Sequence, residues 1–382
     1  MKILVTGSSG FVGRNLVFAL KNIAEQKDKS FNIDCNITVL EYDLGCEEVL
    51  FEQYCGEADF IVNLAGVNRP KEQDEFSRGN VDFVALLTEM LKRHKNYCPI
   101  LHTSSIQAQL QNPYGESKRA GEEIIFSFGR ETGAPVYVFR FPNIFGKWCR
   151  PNYNSVIATF CSNIASGRPI TINDTSAVLK LVYIDDVVKV IIDAIKGQAH
   201  FDQNGKFCLI SPEYEATLGE IADLLYSFKR TREDRSIPDL GNDFVLKLYA
   251  TYTSYIPDKD LSYSLKMNAD HRGSFTEFLK TDDRGQISIN ITKPGVTKGN
   301  HWHNTKNEKF CVVNGKAIIR LRKIGTDTVV EYHAGGDDMR VIDIPVGYTH
   351  SIKNQGDKDL VTIMWASELF NPDKPDTYYE EV

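Results

Sequence analysis

No concentrated basic tract occurs in this chain, its cysteines form no close pairs, and no apolar run reaches the about 18 residues a membrane helix needs. The first absence, with a formal net charge of -7, removes the electrostatic footprint of a nucleic-acid partner. The apolar runs predict no membrane span. The opening residues Met1–Gly7 read as a strand entering a glycine turn, without the apolar stretch and cleavage site of a signal peptide. Cytoplasmic residence is therefore expected. Cys35, Cys46, Cys55, Cys98, Cys149, Cys161, Cys208 and Cys311 are expected to fill space as thiols, because they are too sparse for a disulfide scaffold. There is no internal repeat.

What is present suits two domains. A chain of 382 residues with 42% hydrophobic and 25% charged residues exceeds most single cores. Residues 1–200 alternate β-branched runs (Ile3–Val5, Ile37–Leu40, Phe60–Leu64, Ile100–His102, Val136–Phe139) with helical patterns at 81–94 and 115–129. That rhythm predicts a doubly wound parallel sheet with helices on both faces. Residues 141–240 mix loops and helices, including an amphipathic segment at Leu218–Phe228, and are expected to form a substrate-binding subdomain. A stretch rich in charge, tyrosine and proline follows, and 244–262 reads as a linker between domains at 1–243 and 263–382. Beyond it, short strands such as Ile287–Ile291, Lys309–Val313, Ala317–Leu321, Thr328–Tyr332 and Leu360–Trp365 alternate with glycine turns. They predict an antiparallel sandwich or small barrel.

Thr6-Gly7-Ser8-Ser9-Gly10-Phe11-Val12-Gly13 follows the first strand directly. Gly7 suits a tight turn, Gly10 lets backbone approach a pyrophosphate, and Gly13 permits close helix packing. Phe11, Val12 and Arg14 open a helix whose N-terminus would face the phosphates. Arg14 suits a 2'-phosphate, whereas Glu41 after the second strand suits a ribose diol, so NADPH and NADH both remain open. Leu64, Ala65 and Gly66 end another strand, where ligands bind in open parallel sheets. Further on, Tyr114 and Lys118 lie one helical turn apart. A nearby ammonium and a positive nicotinamide ring would lower the tyrosine pKa. Tyr114 could then protonate a carbonyl oxygen while hydride reaches its carbon, with Ser105 hydrogen-bonding the same oxygen.

These residues make 1 to about 240 similar to the extended short-chain dehydrogenase/reductase family, whose members have a Rossmann-like domain and often act on nucleotide-activated sugars. The resemblance rests on the glycine turn, Asn63-Leu64-Ala65-Gly66, Ser104-Ser105, Tyr114/Lys118, Arg140-x2-Asn143-x2-Gly146 and Lys180–Asp186, a segment that returns to the sheet in that family. Only eight residues separate Ser105 from Tyr114, fewer than the family usually has.

Gly295-x5-His301-x-His303-x4-Glu308 and Pro345-x-Gly347-x2-His350-x3-Asn354 carry the second chemistry. Two histidines at i and i+2 share a strand face. Glu308 can return from the next strand and His350 from a distant one. Such a His3Glu set suits a divalent metal, Zn²⁺ among others. The two runs resemble cupin motifs, and the resemblance implies a jelly-roll barrel, although Met339 stands where the second motif usually has glycine. Asp270–Glu277 looks like the start of the sugar-nucleotide epimerase branch of cupins, which implies Arg272 and Glu277 as substrate contacts.

A ketone acidifies the neighbouring C–H, so one domain could epimerise beside a carbonyl that the other reduces. The full chain resembles bifunctional capsular polysaccharide enzymes of the UDP-N-acetyl-L-fucosamine pathway. Gly66–Pro70, Ser105–Ala108, Asn112–Lys118, Phe145–Cys149, Pro151–Val156 and Lys298–His303 carry this match. It implies C3 epimerisation of a UDP-2-acetamido-2,6-dideoxy-4-hexulose, then NADPH-dependent reduction at C4, in a zinc-bearing homodimer. Asn68, Arg69 and Asn143 become candidates for substrate recognition, and Tyr183 for packing by the adenine. A metal-bound histidine has its lone pair occupied, which leaves His271, Glu277, Lys298, Lys306 and Tyr348 as candidates for the epimerisation base. The alternative is a single-activity 4-ketoreductase whose cupin is a non-catalytic dimerisation or sugar-binding module.

Overall fold

The computed structural model describes residues 1–33, 36–69, 72 and 75–382. Cys35 and Pro70 lie outside the described residues. The chain forms two compact units, one of Met1–Leu225 with Asn242–Pro257 and one of Tyr226–Gly241 with Asp258–Val382. The stretch read as a linker at 244–262 overlaps the helix Asp243–Thr253 in the first unit. Phe244, Leu248 and Tyr252 recur at i, i+4 and i+8. Leu248 and Tyr252 are buried, and the ring of Phe244 lies 5.8 Å from that of Phe145.

The first unit is organised by five parallel strands: β1 (Lys2–Thr6), β2 (Thr38–Tyr42), β3 (Phe60–Asn63), β4 (Ile100–Ser105) and β5 (Val136–Phe141), in the order β2-β1-β3-β4-β5. Side chains alternate between the two faces. Ile3 and Val5 of β1 join the helices Phe11–Ala24 and Ile184–Ile195 in one apolar cluster. Leu4 joins the helices Phe83–His94 and Pro113–Thr132 in another, which makes the sheet doubly wound. The order reverses at β1, so the carboxyl ends of β1 and β3 open into a crevice where ligands bind in such sheets.

The helix Pro113–Thr132 outruns its expected span of 115–129 because both ends are capped. Asn112 accepts from the Gly115 N–H at 2.7 Å, Pro113 supplies a preset first turn, and Gly133 closes the end at φ 78°. Lys180–Tyr183, expected to return to the main sheet, instead lies in β7 (Val178–Tyr183) of a separate three-stranded sheet. Its neighbours there are β6 (Asn143–Phe145) and β8 (Tyr214–Thr217).

The second unit is built mainly of antiparallel strands in two sheets. The first contains β9 (Asn268–Asp270), β10 (Gly273–Thr281), β11 (Gly285–Thr292), β13 (Glu308–Asn314), β16 (Val341–Ile344) and β18 (Leu360–Ala366). The second contains β12 (Thr297–Trp302), β14 (Lys316–Lys323), β15 (Val329–Gly335), β17 (Tyr348–Asn354) and β19 (Tyr378–Tyr379). Phe310, Met364 and Ile342 of the first share an apolar core with Ile319, Leu321 and Ile352 of the second. A second part of the interior is polar, with Ser288, Asn290 and Thr292 of β11 all buried.

One buried ion pair ties the first unit together beneath the crevice. Arg140 of β5 donates to both carboxylate oxygens of Glu122, at 2.8 and 2.6 Å, and the Ser104 hydroxyl donates to the same carboxylate at 2.5 Å. Removing one partner strands the other charge. Glu122→Ala is expected to destabilise the first unit by about 3–5 kcal/mol in urea unfolding, and a loss under about 1 kcal/mol would show that the pair is not structurally important.

Candidate functional site

The turn after β1 is packed too closely for side chains. A Cβ on Gly7 would lie 2.8 Å from the Ala65 backbone nitrogen, and one on Gly13 would lie 2.1 Å from the Gly7 carbonyl oxygen. Gly7 also adopts φ 68°. The helix Phe11–Ala24 begins immediately beyond Gly10 with no side-chain cap, leaving its first N–H groups for a ligand. This cradle suits a dinucleotide pyrophosphate. It opens into a cleft of about 600 Å³ lined by Gly7, Gly10, Phe11, Val12, Gly13, Arg14, Leu64, Gly66, Asn68, Arg69, Ser105, Tyr114, Lys118 and Asn143. Ala65 stands behind the lining, its backbone against Gly7. Tyr183, expected by the adenine, is not among the lining residues and packs its ring 5.4 Å from Phe145.

At the end of β4 the two serines part. Ser104 turns inward to Glu122, whereas Ser105 faces the cleft within hydrogen-bonding reach of the Tyr114 hydroxyl. Tyr114 donates to Asn68 Oδ1 at 2.7 Å. Lys118 is buried and donates to the Thr103 carbonyl at 3.3 Å. Burial pulls its pKa down to about 8 against the opposing charge of Glu122. The expected lowering of the Tyr114 pKa, by Lys118 and a nicotinamide charge together, is not produced by the protein groups alone. Burial raises it, and the Ser105 hydrogen bond offsets this only in part.

Two supporting residues, Asn80 and His102, gave no spacing signal in the sequence. Asn80 accepts from Val67 N–H at 2.9 Å and donates to Val67 C=O and Ser117 Oγ, both at 3.0 Å, pinning the strand end against the tyrosine helix. Beneath the cleft, Thr6 donates to Asn63 Oδ1 at 2.6 Å, and Asn63 Nδ2 donates to His102 Nδ1 at 3.0 Å. Burial pushes the His102 pKa down to about 3, so the ring is neutral and its proton sits on Nε2.

In the second unit, ligand atoms of His301, His303, Glu308 and His350 all lie within 4.8 Å of one another. His301 and His350 are register partners across β12 and β17, beside a bulge between Gly299 and His301. Glu308 Oε2 lies 3.1 Å from His350 Nε2 and 3.4 Å from His303 Nε2. The His303 Nδ1–H donates to the Asp376 carbonyl at 2.5 Å, leaving an Nε2 lone pair that faces the carboxylate. Two acceptors so placed repel unless a cation lies between them. These buried atoms have no hydrogen-bond partner, so the donor set fits a divalent metal. Burial holds His301 down to about 4. Glu308 falls to about 2, because its imidazole neighbours outweigh the opposing effect of burial.

Asp376 also escaped sequence reading. Its carboxylate accepts the backbone N–H groups of Asn304, Thr305 and Lys306 at 3.0, 2.9 and 3.2 Å, while β19 pairs with His301 and Trp302. Arg272 and Glu277 are each engaged elsewhere: Arg272 with Asp270 at 2.7 Å, Glu277 with Arg235 at 2.7 Å. Among the candidate bases, Lys298 donates to Asn290 Oδ1 and the Ile291 carbonyl, both at 2.7 Å, and Lys306 to the Pro375 carbonyl at 2.8 Å. His271 is exposed. Tyr348 is half-buried against the interior cluster, two residues before His350 on the same strand face.

Residues 3–208 match the NAD dependent epimerase/dehydratase family, and residues 268–378 match the polysaccharide biosynthesis C-terminal domain. A Pseudomonas aeruginosa protein, UDP-2-acetamido-2,6-beta-L-arabino-hexul-4-ose reductase, is 42% identical over 99% of this chain and 98% of its own. The crystal structure of capsular polysaccharide assembling protein CapF from Staphylococcus aureus is 50% identical, covers 100% of both chains and superposes with a TM-score of 0.92. A structure of CapF with the inhibitor 3-isopropenyl-tropolone is 46% identical over 100% of both chains, with a TM-score of 0.88. The chain therefore belongs to the NAD dependent epimerase/dehydratase family, within the full-length group that includes the capsular polysaccharide assembling protein CapF.

Proposed function

We propose that this chain is a bifunctional sugar-nucleotide enzyme. Its second unit, read as a cupin, epimerises C3 of a UDP-2-acetamido-2,6-dideoxy-4-hexulose, and its first unit reduces the C4 ketone. The observation that carries the reading is the Tyr114–Ser105–Lys118 group facing the glycine-built cleft, in a chain that matches the hexulose reductase from end to end.

When bound, the reduced nicotinamide supplies the hydride. Tyr114 supplies the proton to the ketone oxygen, which takes the acceptor position held by Asn68 Oδ1. Ser105 donates a second hydrogen bond to that oxygen. Lys118 offers a buried positive charge on the same helix, one turn from the tyrosine, and favours the tyrosinate left after transfer. Arg69 in the cleft lining gives a diphosphate a cationic partner, and Asn143 gives the sugar a polar one.

In the second unit, His301, His303, Glu308 and His350 would hold the metal. When bound, a divalent ion such as Zn²⁺ supplies positive charge beside a developing enolate and fastens β12, β13 and β17 together. With the histidine lone pairs directed at the metal, proton transfer falls to another group. Tyr348 is the best placed of the five candidates, since Glu277, Lys298 and Lys306 are occupied and His271 is exposed. That occupancy also supports a second reading, a one-reaction 4-ketoreductase with a non-catalytic cupin. Solvent exchange at C3 separates the two.

Tyr114→Phe should lower NAD(P)H oxidation with the keto-sugar by at least about 10²-fold while leaving C3 deuterium uptake intact. Unchanged oxidation would remove the tyrosine from the mechanism. In D2O without nucleotide, the full chain should incorporate deuterium at C3, read by NMR, and Tyr348→Phe should slow this by about 10²-fold. No uptake by metal-loaded wild-type protein would leave the one-reaction reading. Alanine at His301, His303, Glu308 or His350 should each reduce bound metal by about 10-fold or more in elemental analysis. Full metal content in all four variants would reject the ligand set.

A further inference from the structure

Residues 375–381 lie against the strands and the loop that carry His301, His303 and His350, and their bonds fall beside those ligands. Tyr378 and Tyr379 form β19, paired with Trp302 and His301 of β12, and the Tyr378 ring sits 4.9 Å from that of Trp302. The Glu380 N–H donates to the Asn300 carbonyl at 3.0 Å. Thr349, the neighbour of His350 on β17, donates its hydroxyl hydrogen to the Glu380 carbonyl. Arg322 of β14 donates to Glu380 Oε1 at 2.9 Å and to the Glu381 carbonyl at 2.6 Å. Asp376 ties the other end. Its carboxylate gathers the N–H groups of Asn304, Thr305 and Lys306 while its carbonyl takes the His303 Nδ1–H. It does so at φ 40°, a left-handed conformation that costs energy in a residue with a side chain and persists because these bonds hold it.

We propose that residues 375–381 are a strap whose closure is coupled to metal binding, with Asp376 as the residue that positions His303 for the ion. A metal-bound Nε2 leaves the ring proton on Nδ1, and the polarised N–H bonds more strongly to the Asp376 carbonyl. The closed strap in turn holds the ring in the tautomer and orientation that present Nε2 to Glu308 and the other ligands. With the strap released, His303 loses that acceptor, and nothing then fixes which nitrogen carries the proton. Each event favours the other, and linkage makes the two effects one coupling free energy. This inference rests on the reading of His301, His303, Glu308 and His350 as the metal ligands.

Two measurements on the full chain test it, neither of them turnover. Hydrogen exchange read by mass spectrometry, with and without one equivalent of Zn²⁺, should show the amides of residues 378–381 slowed by about 10-fold on metal loading. In competition with a chromophoric chelator, Asp376→Ala should bind Zn²⁺ about 10- to 100-fold more weakly than wild type. Asp376→Asn keeps an acceptor oxygen for the loop and should recover most of that loss. If Asp376→Ala does not fold, as judged by circular dichroism, the exchange of the wild-type strap decides alone. Strap amides indifferent to Zn²⁺, or wild-type affinity in folded Asp376→Ala, would overturn the strap while keeping the ligand set. No Zn²⁺ uptake by the wild type would overturn the ligand set and the strap together.

Discussion

A charge with almost no water contact fixes the geometry of the reductase end. Glu122 is 1% exposed, and a carboxylate so placed must be matched by donors on rigid elements. Its donors come from β4 through Ser104 and from β5 through Arg140, so the helix that carries Glu122 cannot rotate or slide relative to the sheet. Tyr114 and Lys118 stand two turns and one turn earlier on that helix and inherit its register. The carboxylate thus orients side chains it does not touch, and its charge also opposes the loss of the Lys118 proton.

Asp376 does comparable work in the second unit. Three successive backbone N–H groups converge on its carboxylate, which keeps it charged and shapes the chain just beyond His303. Its own carbonyl then fixes the His303 tautomer. In both units a carboxylate pins the segment that carries or adjoins a functional side chain.

The parallel sheet and the antiparallel half were legible because period and glycine placement are local properties. Gly7, Gly10 and Gly13 announced a cradle through their spacing between a strand and a helical pattern, and the His3Glu quartet did so through two short motifs. Contacts between distant residues left no such trace. His303 and Asp376 are 73 residues apart, and nothing in either neighbourhood points to the other. Burial was equally hidden: an ammonium one turn away and a nicotinamide ring suggested a lowered Tyr114 pKa, whereas the protein's own enclosing groups raise it. Arg272 and Glu277 drew attention through motif context, while their ion-pair partners, Asp270 and Arg235, could not be weighed from spacing. The helix Asp243–Thr253 was masked by the charge, tyrosine and proline around it, although Phe244, Leu248 and Tyr252 fell at helical intervals.

The bond from Tyr114 to Asn68 has a consequence for how substrate recognition divides between affinity and rate. Under the proposed reduction, a ketone entering the cleft would not add a hydrogen bond to the tyrosine; it would take over one that an amide oxygen already holds. Exchanging one neutral acceptor for another changes free energy little. The reacting carbonyl therefore contributes little to holding the substrate, and affinity must come from the nucleotide and sugar portions further along the cleft. In the proposed reaction the tyrosine interaction would strengthen only as charge develops on the oxygen, so it would act through kcat and leave KM nearly untouched.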